Sequence, residues 1–158
     1  MSNLPSNFEE AIKNAKRLSN KILIDGKLIS PLTDNKIKVI NPSTGENIGE
    51  APQCDKNDVD HAVKSSLNAF KEWKKIPARE RGRLVELGAR NLEERKGEIE
   101  TLLSLDTGNA LRTQAKPETA ASIELTRMFA GLSGEIKGEN YPPNIANTLH
   151  FTTRDPIG

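Results

Sequence analysis

Side chains that could act as a nucleophile or a base are few and widely spaced. Cys54 is the one cysteine, and it lies between Gln53 and Asp55. A nucleophilic cysteine needs a base or a cationic neighbourhood to form its thiolate, and an acidic neighbour supplies neither. The two histidines, His61 and His150, are far from each other in the sequence. We therefore predict an ordinary loop role for Cys54 and no catalytic residue in this chain.

Transition-metal and phosphate-binding patterns do not occur in the sequence. It has neither a His-x-x-x-His spacing nor a cysteine–histidine cluster. Gly131, Gly134 and Gly138 lie in and after a predicted helix, whereas a phosphate cradle needs its glycines between a strand and a helix. These glycines therefore favour close helix packing over nucleotide binding.

Asp106 is the carboxylate with the most informative position. It follows an apolar stretch and precedes Thr107 and Gly108, at the predicted end of a helix where polar backbone groups gather. A carboxylate together with backbone carbonyls could hold a hard monovalent cation there. The alternative is a capping or turn role at the helix end, which the sequence alone favours.

Charge and composition exclude several classes of protein. Lysines and arginines number 23 and acidic residues 22, so the net charge of +1 argues against a dedicated nucleic-acid binder. Apolar runs of three or four residues are too short to cross a membrane. A single cysteine excludes an internal disulfide and a cysteine-based zinc site. We expect a soluble cytoplasmic protein with no nucleic-acid partner and no membrane partner.

The first half of the chain predicts a helix followed by short strands. Residues 1–20 form an apolar stripe at helical spacing, which indicates a short helix or a tail. Asp25-Gly26 between two apolar runs predicts a β-hairpin over 22–29. Further strands are predicted over 36–40 and 46–51, with a turn at 41–45 between them.

The second half predicts helices and an extended tail. Helices are expected over 54–75, 78–106 and 117–137. Asp55 and Asp58 have capping-box spacing at the first of these, Gly97 is the expected break in the second, and Gly108 is its expected end. Residues 140–158 are predicted to be extended, and a strand over 149–153 would pair with something outside the chain.

Eight short motifs, in this order, resemble the N-terminal part of the aldehyde dehydrogenase superfamily over about residues 20–158. They are Ile24-Asp25-Gly26-Lys27, the 39–45 segment ending in Asn41-Pro42-Ser43-Thr44-Gly45, the 58–63 helix start, 70–73, 78–81, Leu105-Asp106-Thr107-Gly108, 129–131 and 153–158. Within the superfamily, the sequence resembles enzymes of the betaine-aldehyde dehydrogenase type. It implies NAD- or NADP-dependent oxidation of an aldehyde to a carboxylic acid. It also implies that the nucleophilic cysteine, the catalytic glutamate and the cofactor site lie in regions absent from this chain, because Cys54 does not match the family nucleophile.

The resemblance also implies a cation site within the subunit, for K+ or Na+. The ligands that match this segment are the backbone carbonyls of Val39 and Ile40 and the carboxylate of Asp106. Some relatives have threonine where this chain has Val39, and a backbone oxygen survives that change. A further ligand would come from outside the chain.

The implied fold class is α/β, with a β-hairpin and meander and the outer helices of a cofactor domain. The divisions are an N-terminal helix or tail over 1–20, the N-terminal part of the cofactor-binding domain over 21–138, and the start of an oligomerisation β-ribbon over 139–158. Expected partners are the remaining domains of the enzyme or a longer partner chain, and a homo-oligomer in the full-length enzyme. The alternative is a stand-alone helical interaction module, or one piece of a split enzyme, without activity of its own.

Overall fold

The computed structural model describes residues 6–157 and has short strands followed by a run of helices. Helix α1 precedes two antiparallel strand pairs, and helices α2 to α5 precede a third. The elements are α1 (Ser6–Leu18), β1 (Ile22–Ile24), β2 (Lys27–Ile29), β3 (Lys36–Ile40), β4 (Asn47–Pro52), α2 (Lys56–Trp73), α3 (Ala78–Glu94), α4 (Lys96–Thr107), a π-helical turn (Leu111–Ala115), α5 (Lys116–Leu132), a 3-10 turn (Ser133–Glu135), β5 (Asn140–Tyr141) and β6 (His150–Phe151). Helix α1 confirms the N-terminal helix over the part of it that is described, and residues 1–5 of that prediction lie outside the described residues.

Two hairpins form where turn chemistry predicted them. Asp25 and Gly26 have φ angles of 54° and 69°, and they connect strands that pair with Ile24 opposite Lys27. Two successive positive φ angles match the right-handed twist of the flanking strands, which is why Asp-Gly is preferred there. The second hairpin pairs β3 with β4, so the predicted strands are confirmed, but they form two separate pairs and not one continuous meander.

Helix α2 begins with the predicted capping box. The Asp55 carboxylate accepts hydrogen bonds from the backbone N–H groups of Asn57 (2.8 Å) and Asp58 (3.0 Å). In return, the Asp58 carboxylate accepts one from the backbone N–H of Asp55 at 3.3 Å. These bonds satisfy amides that the first turn of a helix leaves without a partner.

The break between α3 and α4 falls at Arg95, two residues before the expected Gly97. Arg95 leaves the helical region with φ −104° and ψ 13°, and its guanidinium pairs with Glu98 at 2.8 Å. Gly97 lies inside α4, where a glycine costs stability but does not by itself end a helix. The prediction of two helices is confirmed and that of the break residue is wrong.

Helix α5 ends five residues before the predicted limit of residue 137. It stops at Leu132 and tightens into the 3-10 turn, in which Gly134 lies close to the Arg79 side chain. Close packing of α3 on α5 explains the change, because Gly82 leaves room for Ser133 and the backbone oxygen of Ala130. The π-helical turn before α5 was not predicted.

Small and aliphatic side chains form the packed interior. One cluster joins α1, β4 and α4 through Ala11, Ile48 and Leu105. Between α3 and α5, Ala89 and Ile123 are almost fully buried. This packing brings the end of β3 and the end of α4, which carry the candidate site residues, to the same side of the chain. Across the described residues, every helix is too short or too polar to cross a membrane.

The C-terminal tail pairs with its own chain. Strand β6 is antiparallel to β5, with Tyr141 opposite His150, and the backbone N–H of Thr152 donates to the oxygen of Glu139 at 2.9 Å. The predicted strand over 149–153 is present as His150–Phe151, and β5 covers one of its edges. Pairing of this strand with a segment outside the chain stays a prediction. Gly138 permits the close crossing of the two segments, since a Cβ at that position would overlap the backbone oxygen of Thr152.

Candidate functional site

Val39 and Ile40 lie at a β-bulge at the end of β3. Val39 pairs with Gly49 and Ile40 with Asn47, so Ile48 on β4 has no partner directly opposite. Ile48 instead turns into the core, where only 6% of its surface is exposed. A bulge bends its strand and changes the direction of nearby groups. The extra residue therefore belongs to β4, and it lies opposite the step from Val39 to Ile40 on β3.

The Asn41–Gly45 turn after β3 is held by a buried asparagine. Asn41 is 7% exposed, and its side-chain oxygen accepts from the backbone N–H of Ser43 at 2.9 Å. Its backbone N–H donates to Glu46 at 2.9 Å, and its backbone oxygen accepts from Gly45 at 2.8 Å. Three short bonds on one residue make this turn a stiff support for the end of β3.

Asp106 lies in the last turn of α4, with its side chain at the surface. Thr107 Oγ1 donates to the backbone oxygen of Leu103 at 2.6 Å, and the N–H of Gly108 donates to Ser104 at 3.0 Å. Gly108, at φ 75°, ends the helix as predicted. In the described part of the chain the Asp106 carboxylate makes no hydrogen bond and no ion pair, so the capping role that the sequence favoured for it is taken by its two neighbours.

One contact joins the two halves of the candidate site. A Cβ placed on Gly108 would lie 2.8 Å from Cγ of Pro42 and 3.6 Å from Oγ of Ser43. The turn after β3 is therefore packed directly on the residue that ends α4. Sequence analysis identified each of these motifs but not their contact.

An open crevice of about 700 Å³ lies elsewhere, between α3 and α5, and a second of about 510 Å³ contains part of the candidate site. Val39 and Asp106 both line the second crevice, with Ile48 and Leu102 among the apolar residues around them. Ile40 is not among its lining residues. The structure therefore brings Val39 and Asp106 together and places Ile40 one residue further along β3.

The chemistry of this donor set suits an alkali cation. Backbone carbonyls and a carboxylate without a partner are hard oxygen ligands, which hard cations prefer to nitrogen or sulfur. Over residues 6–157, the structure contains no group of three or more histidine, cysteine, aspartate or glutamate side chains able to hold a metal ion. A cation at the candidate site would therefore depend on backbone oxygen and on the single carboxylate of Asp106.

The remaining candidates lie on separate elements. Cys54 is exposed in the loop between β4 and α2, His61 is exposed on α2, and His150 is exposed in β6. Among the other ionisable groups, Asp55 and Tyr141 have pKa values shifted by hydrogen bonds. Hydrogen bonds from the backbone, that of Asp58 first, lower the pKa of Asp55. A hydrogen bond with the Glu139 carboxylate raises the pKa of Tyr141.

The relatives with similar sequences are dehydrogenases. The chain is 34% identical over 149 residues to the aldehyde dehydrogenase tropH of Talaromyces stipitatus, a match that covers 93% of this chain and 29% of that protein. It is 32% identical over 151 residues to the cytosolic 10-formyltetrahydrofolate dehydrogenase of Homo sapiens, covering 92% of this chain and 17% of that one. The chain therefore spans less than a third of the length of these relatives.

The fold is similar to that of solved aldehyde dehydrogenases. A betaine aldehyde dehydrogenase from Staphylococcus aureus, solved in complex with NAD+, superimposes with a TM-score of 0.83 at 27% identity, over 90% of this chain and 29% of that one. The sequence model of the aldehyde dehydrogenase family matches residues 29–158, which include all three candidate cation ligands. An α/β segment with this length of match leaves one assignment: the chain belongs to the aldehyde dehydrogenase family.

Proposed function

We propose that this chain is the N-terminal portion of an NAD(P)-dependent aldehyde dehydrogenase, an oxidoreductase that converts an aldehyde to a carboxylic acid. The family match over residues 29–158, together with coverage of only 29% of a related aldehyde dehydrogenase, carries the proposal. The catalytic cysteine and glutamate then belong to the parts of the enzyme that this chain does not contain. Alone, the chain has no catalytic residues and no turnover.

NAD or NADP would be held by those same parts. The sequence has no glycine-rich turn between a strand and a helix that could receive a pyrophosphate. The related Staphylococcus aureus enzyme was solved with NAD+, which supports a nicotinamide cofactor for the whole enzyme. No residue of this chain is assigned to that cofactor, and when bound it would accept the hydride from the substrate.

A structural K+ or Na+ ion is the ligand proposed for this chain itself. The backbone oxygens of Val39 and Ile40 and the carboxylate of Asp106 would hold it. Support comes from the β4 bulge opposite Val39 and Ile40, from the absence of any partner for the Asp106 carboxylate within residues 6–157, and from the crevice that Val39 and Asp106 line. Such an ion would fix the end of β3 to the end of α4.

The partners in this proposal are the remaining domains of the enzyme. Helix α5 buries Thr119, Ile123 and Ala130 on one side. On the other side its large apolar residues are 47–64% exposed, namely Leu125, Met128, Phe129 and Leu132. A helix that is apolar on both sides belongs in an interior, so a further layer of protein is expected over α5.

Residues 139–158, with the β5–β6 ribbon, are proposed as the start of an oligomerisation ribbon in a homo-oligomer. We also propose a cytoplasmic location, supported by the similarity to the cytosolic human 10-formyltetrahydrofolate dehydrogenase.

The uncovered side of α5 also favours a second function, a stand-alone interaction module or one piece of a split enzyme. The two proposals differ in what the purified chain does. Size-exclusion chromatography of the chain from a native extract separates them, since a discrete hetero-oligomer supports the module and aggregation supports an isolated portion.

NADH formation tests the first proposal directly. The purified 158-residue chain should give no steady-state NADH or NADPH with any aldehyde in the presence of NAD or NADP, respectively. Turnover above the rate without protein would refute the assignment of the catalytic groups to other regions.

A further inference from the structure

Gly108 has a backbone conformation and a contact that both favour glycine. Its φ angle of 75° lies in the left-handed region, where a side chain is disfavoured. A Cβ on this residue would lie 2.8 Å from Cγ of Pro42, closer than side-chain carbons approach one another. Because Gly108 ends α4, its positive φ is expected. The close approach of Pro42 needs a separate explanation.

Pro42 is part of a stiff turn directly after β3. A displacement of its ring would therefore also move the end of β3, which carries the candidate carbonyl ligands. It follows Asn41, which is buried and bonded to Ser43, Gly45 and Glu46. Asn41 in turn follows Ile40 directly. On the other side of the contact, Asp106 lies in the last turn of α4, which ends at Gly108.

We propose that Gly108 is a positioning residue for the cation site. Its contact with Pro42, called here the Pro42–Gly108 contact, sets the separation between the carbonyls at the end of β3 and the carboxylate of Asp106. This inference rests on the proposed cation and adds a residue that does not touch it. An added Cβ would move the turn away from α4 and leave the carbonyls too far from the carboxylate to share one ion.

Thermal unfolding in KCl and in choline chloride at equal ionic strength measures the effect. A ligand that binds the folded state raises its stability by an amount that depends on concentration and affinity, so the K+-dependent rise in Tm reports the site without any enzyme activity. Because a further ligand would come from outside this chain, the measurement uses the enzyme with its remaining domains. We expect the wild-type enzyme to show this rise, Asp106→Ala to lose it, and Gly108→Ala to lose most of it.

Gly108→Asn separates the contact from backbone strain. Asparagine tolerates the left-handed conformation at the end of a helix, so this variant keeps the helix end while placing a Cβ against Pro42. It should fold and still lose most of the K+-dependent rise. Adding Pro42→Gly to Gly108→Asn removes the ring and should restore part of that rise.

Gly97→Ala is the matched control. Gly97 lies inside α4, near its start, and a Cβ there would meet nothing within 4 Å, so the variant should keep the full K+-dependent rise.

The outcomes distinguish the two proposals. If Gly108→Asn lowers the Tm in choline but keeps the K+-dependent rise, Gly108 is only structural and this inference is overturned, while the cation proposal stands on the loss in Asp106→Ala. A wild-type enzyme, with its remaining domains, that has equal Tm in both salts overturns both.

Discussion

The carboxylate of Asp58, in the first turn of α2, accepts a hydrogen bond of 2.9 Å from the backbone N–H of Leu32. Asp58 is 4% exposed, and it also accepts from the backbone N–H of Asp55. One buried side chain thus serves as part of a helix cap and as a link to the loop between β2 and β3. This link orients α2 against the first hairpin.

Asp58→Ala should therefore lower the free energy of unfolding by about 2 kcal/mol, because it removes part of the helix cap and leaves the backbone N–H of Leu32 without its acceptor. Urea unfolding followed by circular dichroism measures the loss. Asp58→Asn keeps an acceptor oxygen and should lose less. Equal stability of the alanine variant and the wild type would show that the Leu32 bond contributes nothing.

The lowered pKa of Asp55 predicts that α2 loses stability in acid. Hydrogen bonds from the backbone favour the ionised carboxylate in the folded state. Because the folded pKa lies below the unfolded one, the contribution is complete above about pH 3.9 and is lost as the pH falls through the folded pKa. Asp55→Asn, which caps a helix as well but does not titrate, should match the wild type at neutral pH and show a flatter profile of Tm against pH below pH 4. Parallel acid profiles for the two proteins would contradict this.

Gly82→Ala should destabilise the contact between α3 and α5. The new Cβ would overlap Oγ of Ser133 and lie 2.5 Å from the backbone oxygen of Ala130, which cannot rotate away. Overpacking of this kind costs about 1–3 kcal/mol. Chemical denaturation provides the measurement.

The control for this substitution lies on the same helix. At Gly88 a Cβ would meet nothing within 4 Å. Gly88→Ala should therefore be neutral or gain up to about 1 kcal/mol from helix propensity. The packing argument fails if the two alanine variants lose equal stability.

Tyr141 is the single tyrosine of the chain, so its ionisation can be followed by ultraviolet absorbance without overlap. Its hydroxyl donates a hydrogen bond to the Glu139 carboxylate, which raises the pKa of Tyr141. Glu139→Gln removes the negative charge and should lower this pKa toward its ordinary value. Glu135→Gln, in the 3-10 turn, serves as a control and should leave the titration unchanged. An identical midpoint for Glu139→Gln and the wild type would show that the bond does not form in solution.

Features decided by neighbouring residues could be predicted from the sequence. The Asp25-Gly26 turn, the capping box at Asp55 and the end of α4 at Gly108 depend on the backbone preferences of a few adjacent residues. The family resemblance rested on the same short motifs, and it is confirmed by the match over residues 29–158.

Features decided by packing could not be predicted. The end of α5 at Leu132 depends on how closely Gly82 lets α3 approach. The pairing of β5 with β6 depends on the crossing at Gly138, and the joining of the two site motifs depends on Pro42. Each of these involves residues far apart in the sequence, for which local spacing carries no signal. The ion assigned to Val39, Ile40 and Asp106 stays a prediction.

The two-sided character of α5 has a consequence for handling the protein. Phe129 is 64% exposed, and with Leu125, Met128 and Leu132 it forms an apolar surface patch on α5. Two copies of the chain that collide can bury these patches against each other. Such encounters grow with the square of protein concentration. Dilute samples of this chain should therefore aggregate more slowly than concentrated ones. A single charged residue introduced into the patch should slow aggregation further.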